Sequence, residues 1–168
     1  GPTARQPGSR GAMFRGISKA SLDDRGRFAV PARFRDSLRS SSAGKLVITI
    51  DRQEKCLLLY PDSEWEAVEK RLEQLSNLRP AVRQLQRMLV GFATDVELDN
   101  NGRVLIPPIL RDYAEIDRSV MVMGQPNKLE LWSEDVLNAE MPQWRSQGNE
   151  AFESLKELGD VQLADIRL

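Results

Sequence analysis

The chain has 168 residues, enough for one ordinary domain or two small interlocked halves, and 40% of them are hydrophobic, enough to build a core. It has no histidine and a single cysteine, Cys56, which removes histidine-based catalysis, the usual metal ligand and any intrachain disulfide. The 24 basic and 25 acidic residues nearly cancel to a net charge of -1, and no apolar run reaches the roughly eighteen residues of a membrane span, so a soluble cytoplasmic protein is expected.

Residues 1–12 are rich in Gly, Pro, Arg and Ser, lack apolar periodicity and precede Met13, which reads as an expression-tag remnant. From 13 to 61 the pattern predicts strand, strand, short helix, strand, strand. The first strand ends at Leu22, and Arg25-Gly26 takes the place of a two-residue type I′ turn, where glycine tolerates the positive φ. Arg27 to Val30 is the second strand, with apolar side chains at alternate positions. Pro31 then opens a short helix at its first position, with Phe34 and Leu38 on the buried face. The runs Leu46 to Ile50 and Leu57 to Tyr60 complete the half, and Cys56 beside the second reads as a buried, inert thiol.

Residues 62–91 form a helical connection. Ser63 with Glu66 has the spacing of a capping box, and Trp65, Val68, Leu72 and Leu75 recur at helical spacing through Leu78. Pro80 opens a second helix with Val82, Leu85 and Leu89 inward, ending at Gly91. Residues 92–132 then repeat the first pattern: a strand to Leu98, the turn Asn101-Gly102, a strand from Arg103 to Ile106, a helix after Pro107 burying Leu110 and Ala114, and strands Val120 to Met123 and Leu129 to Trp132. Residues 133–168 comprise a C-terminal helix capped at Ser133 and interrupted by Pro142, then an acidic, sparsely apolar tail of weak order or mobile helix from Gln147.

The duplication is explicit. Leu22 to Asp36 aligns without a gap on Leu98 to Asp112, and seven positions are identical: Leu22/Leu98, Asp23/Asp99, Gly26/Gly102, Arg27/Arg103, Pro31/Pro107, Arg35/Arg111 and Asp36/Asp112. A half of about 45 residues is too small to bury a core alone, so the two are expected to interlock into one barrel-like α+β domain. Charge is segregated along the chain as well. Arg15 to Arg39 holds seven basic residues against three acids, whereas Glu130 to Asp165 holds nine acids against Arg145 and Lys156.

The opening Met13-Phe-Arg-Gly16, the Asp-x-x-x-Arg motifs at Asp23 to Arg27 and Asp99 to Arg103, and the Leu-Leu-Leu-Tyr-Pro61 segment together resemble the MraZ family, from Met13 to about Trp132. The resemblance implies two tandem AbrB-like units in a swapped-hairpin barrel, and assembly of copies into closed rings. It also implies binding of double-stranded promoter DNA at short repeated G-containing boxes upstream of a bacterial division and cell-wall gene cluster, hence association with the nucleoid.

On this reading Arg27 and Arg103 are the candidate DNA contacts, with Asp23 and Asp99 orienting them and Gly26 and Gly102 making the turns. A guanidinium held by a carboxylate is set for bidentate contact with guanine or phosphate. An exposed Asp-Arg pair that merely staples its turn, stabilising by about 0–1 kcal/mol, remains open for each motif. Arg15, Lys19 and Arg25 add positive field around the first copy, which favours Arg27 over Arg103. Arg35 and Arg111 are open to phosphate contact, to pairing with Asp36 or Asp112, or to a neighbouring subunit, with a structural role favoured. No catalytic residue, metal, cofactor or small-molecule substrate is expected. One rival is a structural ring protein without specific DNA recognition. Another is a carboxylate-dependent hydrolase using Asp23, Asp24, Asp95 or Asp99, which is disfavoured because arginine beside these acids lowers their pKa.

Overall fold

The computed structural model describes residues Phe14–Glu157. The expected tag remnant and the last part of the acidic tail, residues 158–168, lie outside the described residues. The first half runs β1 (Ile17–Ser21), β2 (Arg27–Ala29), α1 (Ala32–Ser42), β3 (Lys45–Ile50) and β4 (Leu57–Pro61). Helices α2 (Asp62–Glu73) and α3 (Pro80–Leu89) connect it to β5 (Thr94–Glu97), β6 (Arg103–Leu105), α4 (Pro108–Ala114), β7 (Ser119–Gly124) and β8 (Leu129–Trp132), which repeat the order. Helix α5 (Glu134–Glu157) follows, and from Asp135 onward it is a second compact unit.

The halves exchange strands. Six strands form one antiparallel sheet in the order β1-β7-β8-β4-β3-β5, and β2 pairs with β6 in a separate two-stranded ribbon. The first strand of each half therefore lies against the third strand of the other, Ile17 opposite Met123 and Leu46 opposite Val96. Exchanging the halves reverses the sheet order and maps it onto itself, a pseudo-twofold arrangement with the β4–β8 and β2–β6 pairs at its centre. The halves are interlocked as expected, but the described strands make an open sheet and a ribbon, not a closed barrel.

Period-two alternation explains the packing. One face of the sheet carries Leu46, Ile48, Leu57, Leu59, Val120, Val122, Leu129 and Leu131, all buried in the main core with Phe28 and Val104 of the ribbon and Phe34, Leu38, Leu110 and Ala114 of the short helices. The opposite face presents Val47, Leu58 and Tyr60 to Trp65 of α2, with Val68 and Leu89 beside them. Cys56 is fully buried, and that burial pushes its thiol pKa up, consistent with an inert thiol.

Several local expectations are corrected. Pro31 and Pro107 are the N-cap residues of α1 and α4, one position earlier than expected, and their carbonyls accept the first helical N–H bonds from Phe34 and Leu110. Helix α2 starts behind Pro61, with no side-chain cap, so the Ser63–Glu66 capping box is not used. It also ends at Glu73: Leu75 is 43% exposed and Leu78 90% exposed, both in the irregular connection that leads to the extended Arg79 before Pro80. Val82, Leu85 and Leu89 on α3 are only half-buried. Pro142 sits inside α5 without ending it, and the helix extends beyond Gln147 to Glu157. No described helix is long and apolar enough to cross a membrane.

Candidate nucleic-acid interface

The two Asp-x-x-x-Arg motifs build two hairpin tips by the same backbone mechanism. In the first, Asp23 N–H donates to the Arg27 carbonyl (2.8 Å) and Gly26 N–H to the Asp23 carbonyl (3.0 Å). The second repeats this between Asp99, Arg103 and Gly102 at 2.9 and 3.0 Å. Each is a three-residue loop with a left-handed glycine last, φ +83° at Gly26 and +76° at Gly102. The expected two-residue type I′ turn would need positive φ at Arg25 and Asn101 too, and neither residue has it. The aspartate side chain takes over part of the turn instead. Asp23 Oδ1 accepts the N–H groups of Arg25 and Arg27, each at 2.9 Å, and Asp99 Oδ1 accepts those of Asn101 and Arg103, each at 2.8 Å.

The tips lean on opposite halves. Val30 N–H donates to the Gly102 carbonyl (2.9 Å) and Ile106 N–H to the Gly26 carbonyl (3.0 Å), flanking the β2–β6 ribbon. Within the ribbon Phe28 faces Val104, both fully buried, while Arg27 lies opposite Leu105 and Ala29 opposite Arg103. Arg27, Ala29, Arg103 and Leu105 therefore share the outer face, on which Arg27 is half-buried and the other three are exposed.

On that face the arginines converge on a single carboxylate. Asp23 Oδ2 accepts Arg27 Nε at 2.9 Å and Arg103 Nη1 at 3.4 Å. Arg103 thus turns to the aspartate of the other motif. The expected Asp99–Arg103 side-chain pair is not made, and Asp99 serves the turn alone. The Arg27 backbone N–H, then the Arg25 N–H and the Arg27 side chain, outweigh partial burial and hold the Asp23 carboxyl down to about 2. Asp99 is lowered as well, chiefly by the Arg103 N–H. A general acid needs the opposite shift, so neither carboxylate is poised as one.

The remaining expected contacts lie elsewhere or at the rim. Arg25 is exposed at the first tip. Arg15 precedes β1, and its backbone crosses Gly124. Lys19, on β1, pairs with Glu134 at 2.8 Å, which neutralises part of the positive field expected there. Other features were not anticipated. Arg39 donates to the Asp99 carbonyl at 3.2 Å, and the Arg111 and Arg35 side chains press on Gly26 and Gly102, each reaching the hairpin of the other half. Identity of Arg35 with Arg111 across the repeat was the available signal, but only the strand exchange reveals which turn each one meets.

A family model described as "MraZ protein" matches the chain twice, over residues 13–88 and 89–153. The chain is 54% identical over 127 residues to the "Transcriptional regulator MraZ" of Pseudomonas syringae pv. syringae, covering 76% of this chain and 84% of that one, and the figures are the same for a protein of that name from Pseudomonas aeruginosa. With the "Transcriptional regulator MraZ" of Thioalkalivibrio sulfidiphilus it shares 49% over 141 residues, 84% of this chain and 93% of the other. Duplicated motif, interlocked halves and a family model that matches both halves agree: the chain belongs to the MraZ family.

Proposed function

We propose that the chain is a sequence-specific DNA-binding transcriptional regulator of the AbrB-like swapped-hairpin kind, acting on double-stranded promoter DNA in the bacterial cytoplasm and nucleoid. The observation that carries this reading is the pair of guanidinium groups, Arg27 and Arg103, gathered on the outer face of the ribbon around the ionised Asp23. Two-stranded ribbons fit the major groove, and an arginine fork matches the O6 and N7 acceptors of guanine. The relatives' shared name, transcriptional regulator, supports the same reading. Arg27, held more tightly by Asp23, is the principal reader, and Arg103 the second.

The reading includes assembly into a closed ring that engages repeated boxes upstream of a division and cell-wall gene cluster. Leu75, Leu78, Val90 and Phe92 are exposed around the half-covered α3, an apolar surface that a second copy would bury. A ring presents several weak sites at once, and their linkage multiplies affinity for a repeated target. The same apolar surface is compatible with a structural ring that has no DNA specificity. A gel shift with the DNA upstream of the chain's own gene, set against shuffled DNA at matched salt, separates the two. Preferential, salt-sensitive retardation is expected, and equal retention of both duplexes would defeat specific recognition. The mass of the purified protein tests the ring, which a strictly monomeric species would exclude.

A further inference from the structure

Arg35 and Arg111 occupy equivalent places that the proposed reading leaves without a task. Arg111 lies on the Gly26 turn so closely that a Cβ there would stand 2.6 Å from its guanidinium carbon, and Arg35 lies on Gly102, 2.4 Å from such a Cβ by its Cδ. The Nε of each is buried and has no hydrogen-bond partner. Among the described residues neither side chain has an ion pair, so pairing with Asp36 or Asp112, which the sequence allowed, does not occur. Asp23 cannot compensate, since Oδ1 already serves two backbone N–H groups and Oδ2 two other arginines.

We infer that Arg35 and Arg111 form a matched pair of phosphate-binding sites, one at each hairpin tip, that clamp the DNA backbone on either side of the ribbon. This inference rests on the DNA-binding reading. A guanidinium keeps its charge under partial burial, and its terminal N–H groups form a planar fork suited to two phosphate oxygens. The Arg111 guanidinium lies against the Gly26 turn and the Arg35 stem against the Gly102 turn, so these side chains are poor candidates for reaching base edges inside a groove, whereas phosphates project outward and can approach them. Each clamp is assembled from both halves, because the arginine of one sits on the hairpin of the other. Such contacts set register and affinity without reading sequence.

The test compares the salt dependence of binding for the full-length protein and its Arg111→Gln, Arg35→Gln, Arg111→Lys and Arg35→Lys variants, on the upstream duplex and on a shuffled duplex. For each phosphate contact removed, the Gln variants should lower the slope of log affinity against log salt by about one unit on both duplexes alike, leaving the ratio of the two affinities unchanged. The Lys variants should restore the slope. A wild-type slope in folded Gln variants would overturn the inference while leaving DNA binding intact, and a changed oligomeric mass with an unchanged slope would assign these arginines to a second copy instead. A salt-independent wild type would defeat the DNA-binding reading and this inference with it. Should the Gln variants fail to fold, phenylglyoxal labelling of the wild type decides: either duplex should protect Arg35 and Arg111, and equal labelling with and without DNA would overturn the clamp.

Discussion

The two hairpin tips share their backbone, their left-handed glycine and their Asp-x-x-x-Arg spacing, yet their aspartates do different work. Asp23 builds its turn with one carboxylate oxygen and gathers two arginines with the other; Asp99 builds its turn only. The difference arises on the ribbon face, where Arg103 finds Asp23 across the β2–β6 pair. Duplication preserves the scaffold because turn geometry is local. It does not preserve side-chain pairing, which depends on what the other half presents.

The largest contrast should appear under the ribbon. Phe28→Ala, at a fully buried site, should cost about 3–5 kcal/mol, and Val104→Ala opposite it roughly 1.5–3, from fewer buried methyl groups. Chemical denaturation of both variants checks the order, and equal losses would mean that the second hairpin collapses around its cavity less well than the first. Recognition comes next. Arg27→Ala should weaken specific binding by about 1–3 kcal/mol per engaged subunit with the assembly intact, Arg27→Lys should rescue only in part, and Arg103→Ala should cost less. Wild-type affinity in assembled Arg27→Ala, measured by fluorescence anisotropy, would reduce the Asp23–Arg27 pair to a staple of its turn.

Smaller effects sharpen the comparison at the glycines. Alanine at either position meets a left-handed strain of about 1–2 kcal/mol. At Gly26 the new Cβ meets the guanidinium end of Arg111, but at Gly102 it meets the stem of Arg35, which sits closer to its own backbone and yields less easily. Gly102→Ala should therefore lower the melting temperature more than Gly26→Ala. The smallest effect is one of pH. The folded-state pKa of Asp23, about 2, lies below its ordinary 3.8, so its charge stabilises the fold fully above about pH 4, and that contribution is lost as the pH falls toward 2. The melting-temperature gap between wild type and Asp23→Asn should close over that window. A gap that persists unchanged at low pH would place its origin in packing.

Every strand from β1 to β8 was legible because its signals are local: apolar runs and alternation, proline after the ribbon strands and glycine in the turns. The gapless repeat located Arg27, Arg103 and both aspartates, and the structure puts both arginines on one face. Strand partners were not legible, since nothing within Ile17–Ser21 says that it pairs with β7. For the same reason the sharing of Asp23, and the contact of Arg111 with Gly26, could not be read from spacing. Leu75 and Leu78 misled in the opposite way. Apolar periodicity ran past the end of α2: its last helical residue is Glu73, and both leucines fall in the connection to α3.

The strand exchange also governs how the chain can fold as it is made. The β3–β4 pair closes within a few residues and can form early, with Trp65 of α2 arriving directly behind it. Strand β1 must wait, because Ile17 and its partner Met123 are separated by about a hundred residues, and pairings of such high contact order form slowly. The ribbon waits too, since β2 has nothing to pair with until β6 has emerged from the ribosome. The hairpin that carries Arg27 is thus synthesised among the first elements but gains its ordered surroundings among the last, so an incomplete chain lacks the assembled ribbon face with which it would grip DNA.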